Sequence, residues 1–233
     1  MMGSQEFING IYRYCLWISN EERVFAIQNT VIAERIKKTE KFRLESTDKA
    51  GRELAVRAHQ FREFFPLVKG KIIIPAVSSE RREYIPMGFL EKDTVISNSA
   101  FALYDAQLWL FGILMSKIHN AWVRAVGGRL KTDIRYSATL CYNTFPFPTL
   151  SEAKKKEIEA LAEEVLLTRQ HHTEKTLSQM YDPDLMPQDL RKAHQALDLA
   201  VDSCYPGSPF KNDEERLEIL FKMYEKMVMK FLL

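Results

Sequence analysis

The 233-residue chain is poor in the residues and motifs that most enzymes are built around. Cysteine occurs three times, at Cys15, Cys141 and Cys204, with no CxxC and no Cys/His pair at metal-ligand spacing. An odd number of isolated thiols argues against a disulfide framework and a structural zinc site and suits a reduced, cytoplasmic protein. The five histidines, His59, His119, His171, His172 and His194, include no i,i+4 pair, and the adjacent His171 and His172 point to different faces of a helix. No G-x-G-x-x-G, Walker loop, G-x-S-x-G or H-E-x-x-H occurs, so the usual dinucleotide, NTP, hydrolase and zinc-protease sites are absent. Acidic residues such as Glu163-Glu164, Asp184 and Glu214-Glu215 stand beside Lys or Arg in helical stretches. They read as solvated charge, not as an acid/base dyad or a Mg²⁺ site, and no catalytic residue can be assigned. The longest apolar run, around Leu108 to Met115, is too short to span a bilayer, and the start MMGSQEFING has no signal-peptide pattern. No membrane association is expected.

What is present is a folded protein. Hydrophobic residues make up 46% and charged residues 27%, with no low-complexity tract, which is enough for a large core. Net charge is only +2, but it is unevenly spread. Residues 1–150 hold 21 Lys and Arg against 15 Asp and Glu, net +6, whereas 151–233 hold 12 against 16, net −4. A basic first part and an acidic second part suggest two modules, of which only the first suits a polyanion.

The pattern along the chain supports the same division, near Pro148. IYRYCLWIS (11–19) reads as a strand from its aromatic and β-branched content. Glu21 to Lys41 reads as a helix, acidic early and basic late, and DKAGRELAVRAHQF as a shorter one. KIIIPAV, EYIPMGFL and TVISNSAFALYD carry strand signals and predict a small sheet. Apolar residues at helical spacing predict one long buried helix through DAQLWLFGILMSKIHNAWVRAVGGR, stopped by Gly127-Gly128. RYSATLCYNTFPFP then returns to strand character. After Leu150 three helices are expected: one opening at Ser151, one after Pro187, and a last one whose apolar face is Leu217, Leu220, Phe221, Tyr224, Met227 and Phe231. The fold class is α+β: a mixed α/β domain over 1–149 and an all-helical bundle over 150–233.

Two segments carry chemistry. VSSERREYIP supplies Ser78, Ser79, Arg81, Arg82 and Tyr84, and GGRLKTDIRYSATLCYN supplies Arg129, Lys131, Arg135, Tyr136, Ser137 and Asn143. Lys and Arg neutralise phosphates, hydroxyls and amides fix register on the backbone, and Arg or Asn can read base edges. The competing reading is two ordinary solvated loops, with Glu80 paired to Arg81 or Arg82 and the tyrosines in the core. Composition alone favours it.

GSQEFINGIYRYCLWI, VSSERREYIPMGF, LWLFGILMSKIHNAWVRAVGGRLKTDIRYSATLCYNTFPFP and AHQALDLAVDSCY resemble, in this order and over essentially the whole chain, the carboxyl-terminal part of the MmeI-like (type IIL/IIG) restriction-modification enzymes. The resemblance implies a target recognition domain that reads double-stranded DNA, followed by a helical domain that helps clamp the duplex. It places an adenine-specific methyltransferase, with S-adenosylmethionine as cofactor, and a nuclease, with magnesium, in the upstream part of such an enzyme. No Pro-Pro dipeptide occurs here, so the Asn-Pro-Pro-Tyr motif of that methyltransferase is missing. The chain is therefore expected to be a non-catalytic, monomeric fragment with no cofactor of its own, partnered by DNA and by the upstream methyltransferase domain. A protein-interaction module docking through its last helices is the alternative.

Overall fold

A computed structural model of the chain describes residues 1–63 and 70–232, without the side chains of 230–232. In chain order the elements are α1 (Ser4–Asn9), α2 (Arg23–Ala26), α3 (Thr30–Leu44), α4 (Lys49–Glu53), a 3₁₀ turn (Leu54–Arg57), β1 (Lys71–Pro75), β2 (Val77–Ser78), β3 (Gly88–Leu90), β4 (Ala100–Leu103), α5 (Leu108–Met115), α6 (Lys117–Val126), β5 (Gly128–Leu130), β6 (Asp133–Arg135), a π-helical turn (Ala138–Tyr142), α7 (Glu152–Gln170), α8 (Leu177–Met180), α9 (Gln188–Asp202) and α10 (Asp213–Leu232). They form two compact units, residues 14–67 and residues 1–13 with 68–233.

The smaller unit is helical. The expected helix over Glu21 to Lys41 is two helices, because the Asn29 side chain accepts from the amides of Val31 (3.0 Å) and Ile32 (3.3 Å) and starts α3 afresh. Asp48 caps α4 in the same way. The strand expected over 11–19 does not form; these residues are irregular, and Tyr12 and Tyr14 lie exposed.

The larger unit holds two antiparallel three-stranded sheets, ordered β3-β1-β4 and β2-β6-β5. Every residue of β1 is buried, as its unbroken KIIIP run demands. Lys71 is tolerated there because its ammonium donates to the carbonyls of Lys92 (2.7 Å) and Thr94 (2.5 Å). In the second sheet Val77 lies opposite Arg135 and Ser78 opposite Ile134, while Arg129 and Leu130 face Ile134 and Asp133. β5 and β6 thus form a hairpin whose turn holds Lys131 in a left-handed conformation, φ 57°.

The long helix expected from Asp105 to Arg129 is broken at Ser116, whose backbone is extended. The Asp198 carboxylate accepts from the Lys117 amide (2.7 Å) and so caps α6 from another helix. α5 is apolar all round; its first turn is partly buried, and Phe111, Ile113, Leu114 and Met115 are fully enclosed. Gly112 permits this: a Cβ there would lie 2.6 Å from Ile158 Cγ2 and 3.3 Å from Ala162 Cβ, so α5 and α7 approach closely. Gly127 has a similar use, because a Cβ would meet the Val123 carbonyl at 2.5 Å; its φ of −69° shows that it is not a left-handed cap. β6 ends at Arg135, and the strand expected through RYSATLCYNTFPFP gives way to the π-helical turn, where the Ser137 hydroxyl accepts from the Leu140 amide at 3.3 Å.

The helices after Leu150 form as expected, and they share their core with the earlier segments. Ile158, Ala162 and Val165 of α7 and Leu190, Leu197 and Val201 of α9 belong to one buried cluster with α5 and β1. Leu220 of α10 is fully buried, and Phe221 and Tyr224 pack on Trp122 of α6, with ring centroids 5.1 and 5.7 Å away. Phe231, expected on the same face, has a side chain outside the described residues. The fold class is α+β, small antiparallel sheets first and a helical carboxyl-terminal region after them.

Candidate functional site

The structure treats the two expected basic segments differently. In the first, nearly every charge ends on the protein itself. Arg81 reaches Asp184 at 2.5 Å. Arg82, half-buried, donates to Ser178 Oγ (3.1 Å) and more distantly to Ser78 Oγ (3.4 Å). Glu83 pairs with Arg191. Arg124 on α6 donates to the backbone carbonyls of Glu80 (3.0 Å) and Arg82. Glu80 therefore contributes its carbonyl, and among the described residues it forms no salt bridge with Arg81 or Arg82. The run Glu80-Arg81-Arg82-Glu83 is a latch, and it closes on residues 178–191 of the helical region.

Beneath the latch the chain turns inward. Ser78 is buried, and Ser79, partly buried, accepts weakly from the Arg81 amide (3.4 Å). Tyr84 is 2% exposed. Its hydroxyl donates to Asp198 Oδ2 at 2.7 Å, and its ring stacks on His194 with centroids 4.1 Å apart. Asp198 thus joins two jobs, capping α6 and fixing Tyr84; burial pushes its carboxyl pKa up to about 6 in spite of those bonds. Next to it, Arg169 of α7 donates to the Met87 carbonyl (2.6 Å) and to the Tyr181 hydroxyl (2.7 Å), and Tyr181 contacts His194 Nε2 at 2.8 Å. The guanidinium lies 4.9 Å from the Tyr181 ring centroid, and no carboxylate pairs with it among the described residues. Burial, and secondarily the nearby Arg169, keep His194 neutral, well below the usual histidine range. These enclosed groups hold the latch to the helices and are shielded from a ligand.

The second segment presents its charges outward. Arg129, Lys131 and Arg135 are exposed on or beside the β5–β6 hairpin. Among the described residues the Arg129 side chain makes one bond, to the Arg124 carbonyl at 3.1 Å, and the side chains of Lys131 and Arg135 make no hydrogen bond or ion pair. Cross-strand pairing puts Arg135 directly opposite Gly128, and a Cβ there would make only ordinary contact with Arg135, the nearest atom being its Cβ at 3.7 Å. Leu130 is 52% exposed among these cations. Tyr136 is not part of this surface: it is buried, 3.3 Å from His119 Nε2, and burial raises its hydroxyl above the ordinary tyrosine range. Ser137 is a capping residue and Asn143 is exposed beyond the π-helical turn. The hairpin therefore gathers Arg129, Lys131 and Arg135 and leaves out Tyr84, Tyr136 and Ser78. The residues that sequence reasoning missed are the partners, Arg124, Asp184, Arg191 and Asp198. Among the described residues no group of three or more His, Cys, Asp or Glu could hold a metal ion, and no helix is long and apolar enough to cross a membrane.

These features define an α+β module with a cationic β-hairpin at its surface and a helical region latched to the segment that precedes it. The chain belongs to the MmeI family: the model of the MmeI target recognition domain matches residues 1–149, and that of the MmeI C-terminal domain matches residues 150–232. It is 47% identical over 226 residues to DNA methyltransferase A of Bacillus subtilis (strain 168), covering 97% of this chain and 26% of that protein. A solved structure of the type IIL restriction-modification enzyme MmeI in complex with DNA superimposes with a TM-score of 0.94 at 38% identity, over 98% of this chain and 30% of that one. The chain thus spans under a third of the length of either relative.

Proposed function

We propose that the chain is the sequence-recognition module for double-stranded DNA of a restriction-modification enzyme that methylates adenine. Residues 1–149 read the duplex, and residues 150–233 form a helical domain that buttresses them. The observation that carries this reading is the hairpin, with Lys131 and Arg135 unpaired and exposed and Arg129 beside them. A two-stranded ribbon fits the major groove, where arginine and lysine can contact guanine edges or flanking phosphates. Membership of the MmeI target recognition family supports the choice of DNA over other polyanions. Ser79, Arg81, Ser137 and Asn143 are at or near the surface and remain auxiliary contacts; Ser78, Arg82, Tyr84 and Tyr136 serve the scaffold. S-adenosylmethionine chemistry, and any magnesium-dependent cleavage, belong to other parts of the enzyme. The module works as a monomer in the cytoplasm.

The test is duplex binding by fluorescence anisotropy across a salt series. We expect binding at low salt, with a steep dependence of affinity on salt. Replacing Lys131 and Arg135 by Ala should weaken it and flatten the salt slope by about 1 per side chain that meets a phosphate. Binding indifferent to both replacements sinks the hairpin reading.

A second role accompanies the first, docking on the upstream methyltransferase part of the same enzyme. Tyr224 of α10 is partly buried on Trp122, and Phe221, which also packs on Trp122, stays 47% exposed. The smaller unit exposes Phe25, Val31, Phe42 and Val56, each above 60%. A self-association that vanishes when Phe25 and Phe42 become Ser, followed by light scattering, would assign this surface to copies of the chain in place of the upstream domain.

A further inference from the structure

The smaller unit contains a cavity of about 200 Å³ that the hairpin reading does not use. It lies between α3 and residues 58–62, and its polar lining includes Arg35, Arg43, Arg62 and His59, with Ile36 and Phe61 among its apolar walls. Among the described residues no aspartate or glutamate lines it. Arg43 is fixed: its guanidinium donates to the carbonyls of Leu54 (2.9 Å), Arg57 (2.9 Å) and Gln60 (2.7 Å). Those acceptors hold the group in place without cancelling its charge, and among the described residues it has no carboxylate partner. Arg57 is held in the same way by the carbonyls of Phe61 (3.1 Å) and Arg62 (2.6 Å). His59 is 7% exposed; its Nε2 bonds Asn20 Oδ1 at 2.9 Å, and its Nδ1 is buried without a partner among the described residues. Burial first, and then the fields of Arg23, Arg43 and Arg57, hold the imidazole below the usual histidine range. Arg35 and Arg62 are exposed at the cavity, and among the described residues the Arg62 guanidinium has one long, solvated contact, with Asp48 (3.4 Å). A fixed cation, two exposed arginines and, among the described residues, no lining acid match a tetrahedral, multiply bonded oxyanion.

We propose that this cavity binds a phosphate group, with Arg43 supplying a fixed field and Arg35 and Arg62 closing on the oxygens. The DNA reading above bears only on the source of the phosphate, a phosphodiester of the duplex or free phosphate. Two measurements on the whole chain separate the cases. Inorganic phosphate is titrated at constant ionic strength while the His59 ring is followed by NMR, and duplex affinity is measured across a salt series. Both are repeated with Arg35→Ala plus Arg62→Ala; these side chains are exposed, so the fold should survive, and circular dichroism checks that it does. The expected result is a saturable phosphate-dependent shift of the His59 resonances that the double variant loses, with a salt slope smaller by about 1 in the variant. A His59 response with an unchanged salt slope supports the site and assigns it to free phosphate. If the wild-type chain binds no DNA, the DNA reading fails, and the phosphate titration alone still decides the cavity. No His59 response together with an unchanged slope overturns the proposal.

Discussion

The segments 78–84 and 129–135 look alike as sequence, each a short run of arginine or lysine among hydroxyl-bearing residues, yet they do different work. The first is latched. Arg81, Arg82 and Glu83 reach Asp184, Ser178 and Arg191, about a hundred residues further along the chain, and Tyr84 is buried against Asp198 and His194. The second is a hairpin whose Lys131 and Arg135 have no protein partner among the described residues. A basic patch therefore becomes a candidate interface only after its internal partners are subtracted. Local composition cannot perform that subtraction, because the partners lie on other elements.

The comparison breaks most visibly at Tyr84. Tyr84→Ala removes a buried ring and strips Asp198 of a donor, and it should cost about 3–5 kcal/mol in urea unfolding. Tyr84→Phe keeps the ring and loses only the hydroxyl, at about 1–3 kcal/mol. Arg135→Ala, by contrast, should leave stability within about 0.5 kcal/mol of the parent chain. A hairpin variant as destabilising as Tyr84→Ala would erase the distinction.

Asp198 sharpens it next. Its folded-state pKa, about 6 against an ordinary 3.8, means that the folded chain binds this proton more tightly than the unfolded chain. The associated stability is fully present below about pH 4 and is lost as pH rises through 6, a swing of about 3 kcal/mol. Asp198→Asn cannot titrate. The stability of the parent chain relative to this variant should therefore fall by that amount between pH 4 and pH 7, as read from urea midpoints. A difference that stays flat with pH would show that Asp198 is not buried as described. The Lys131 and Arg135 variants, matched to the parent over the same range, should show no such change.

Some of this organisation is legible in the sequence. The KIIIP run states its own burial, the apolar LWLFGILM stretch is enclosed from Phe111 onward, and Ser151 and Pro187 mark the starts of α7 and α9. The hidden parts have a common cause, namely partners distant in sequence. Ser116 breaks the long helix, and α6 starts afresh under the Asp198 cap, 81 residues from Lys117. The aromatic IYRYCLWIS stretch carries strand propensity but pairs with no strand among the described residues, so propensity yields to context. At the candidate site the cations themselves could be read off the sequence, whereas their state, latched or exposed, could not. Tyr84 and Tyr136 illustrate this, since a tyrosine beside arginines reads equally as a phosphate donor or as a core ring with a bonded hydroxyl.

The smallest effect is expected at the outer rim of the latch, and it tests where the latch ends. Arg81 and Asp184 meet at 2.5 Å, but both side chains are more than half exposed. An ion pair in that setting gains little, because water screens it and two long side chains lose freedom in holding one geometry. Arg81→Ala, Asp184→Ala and the double variant should then have unfolding midpoints that add without measurable coupling, and the more so in high salt. Arg82 differs: it is half-buried and bridges Ser178 to Ser78, so Arg82→Ala should be clearly destabilising on its own. If Arg81 shows no coupling to Asp184 while its loss weakens duplex binding, then Arg81 is the point at which the latch opens to the ligand, and the boundary between scaffold and interface runs between residues 81 and 82. If the pair couples strongly and binding is untouched, the whole run belongs to the scaffold and recognition rests on the hairpin.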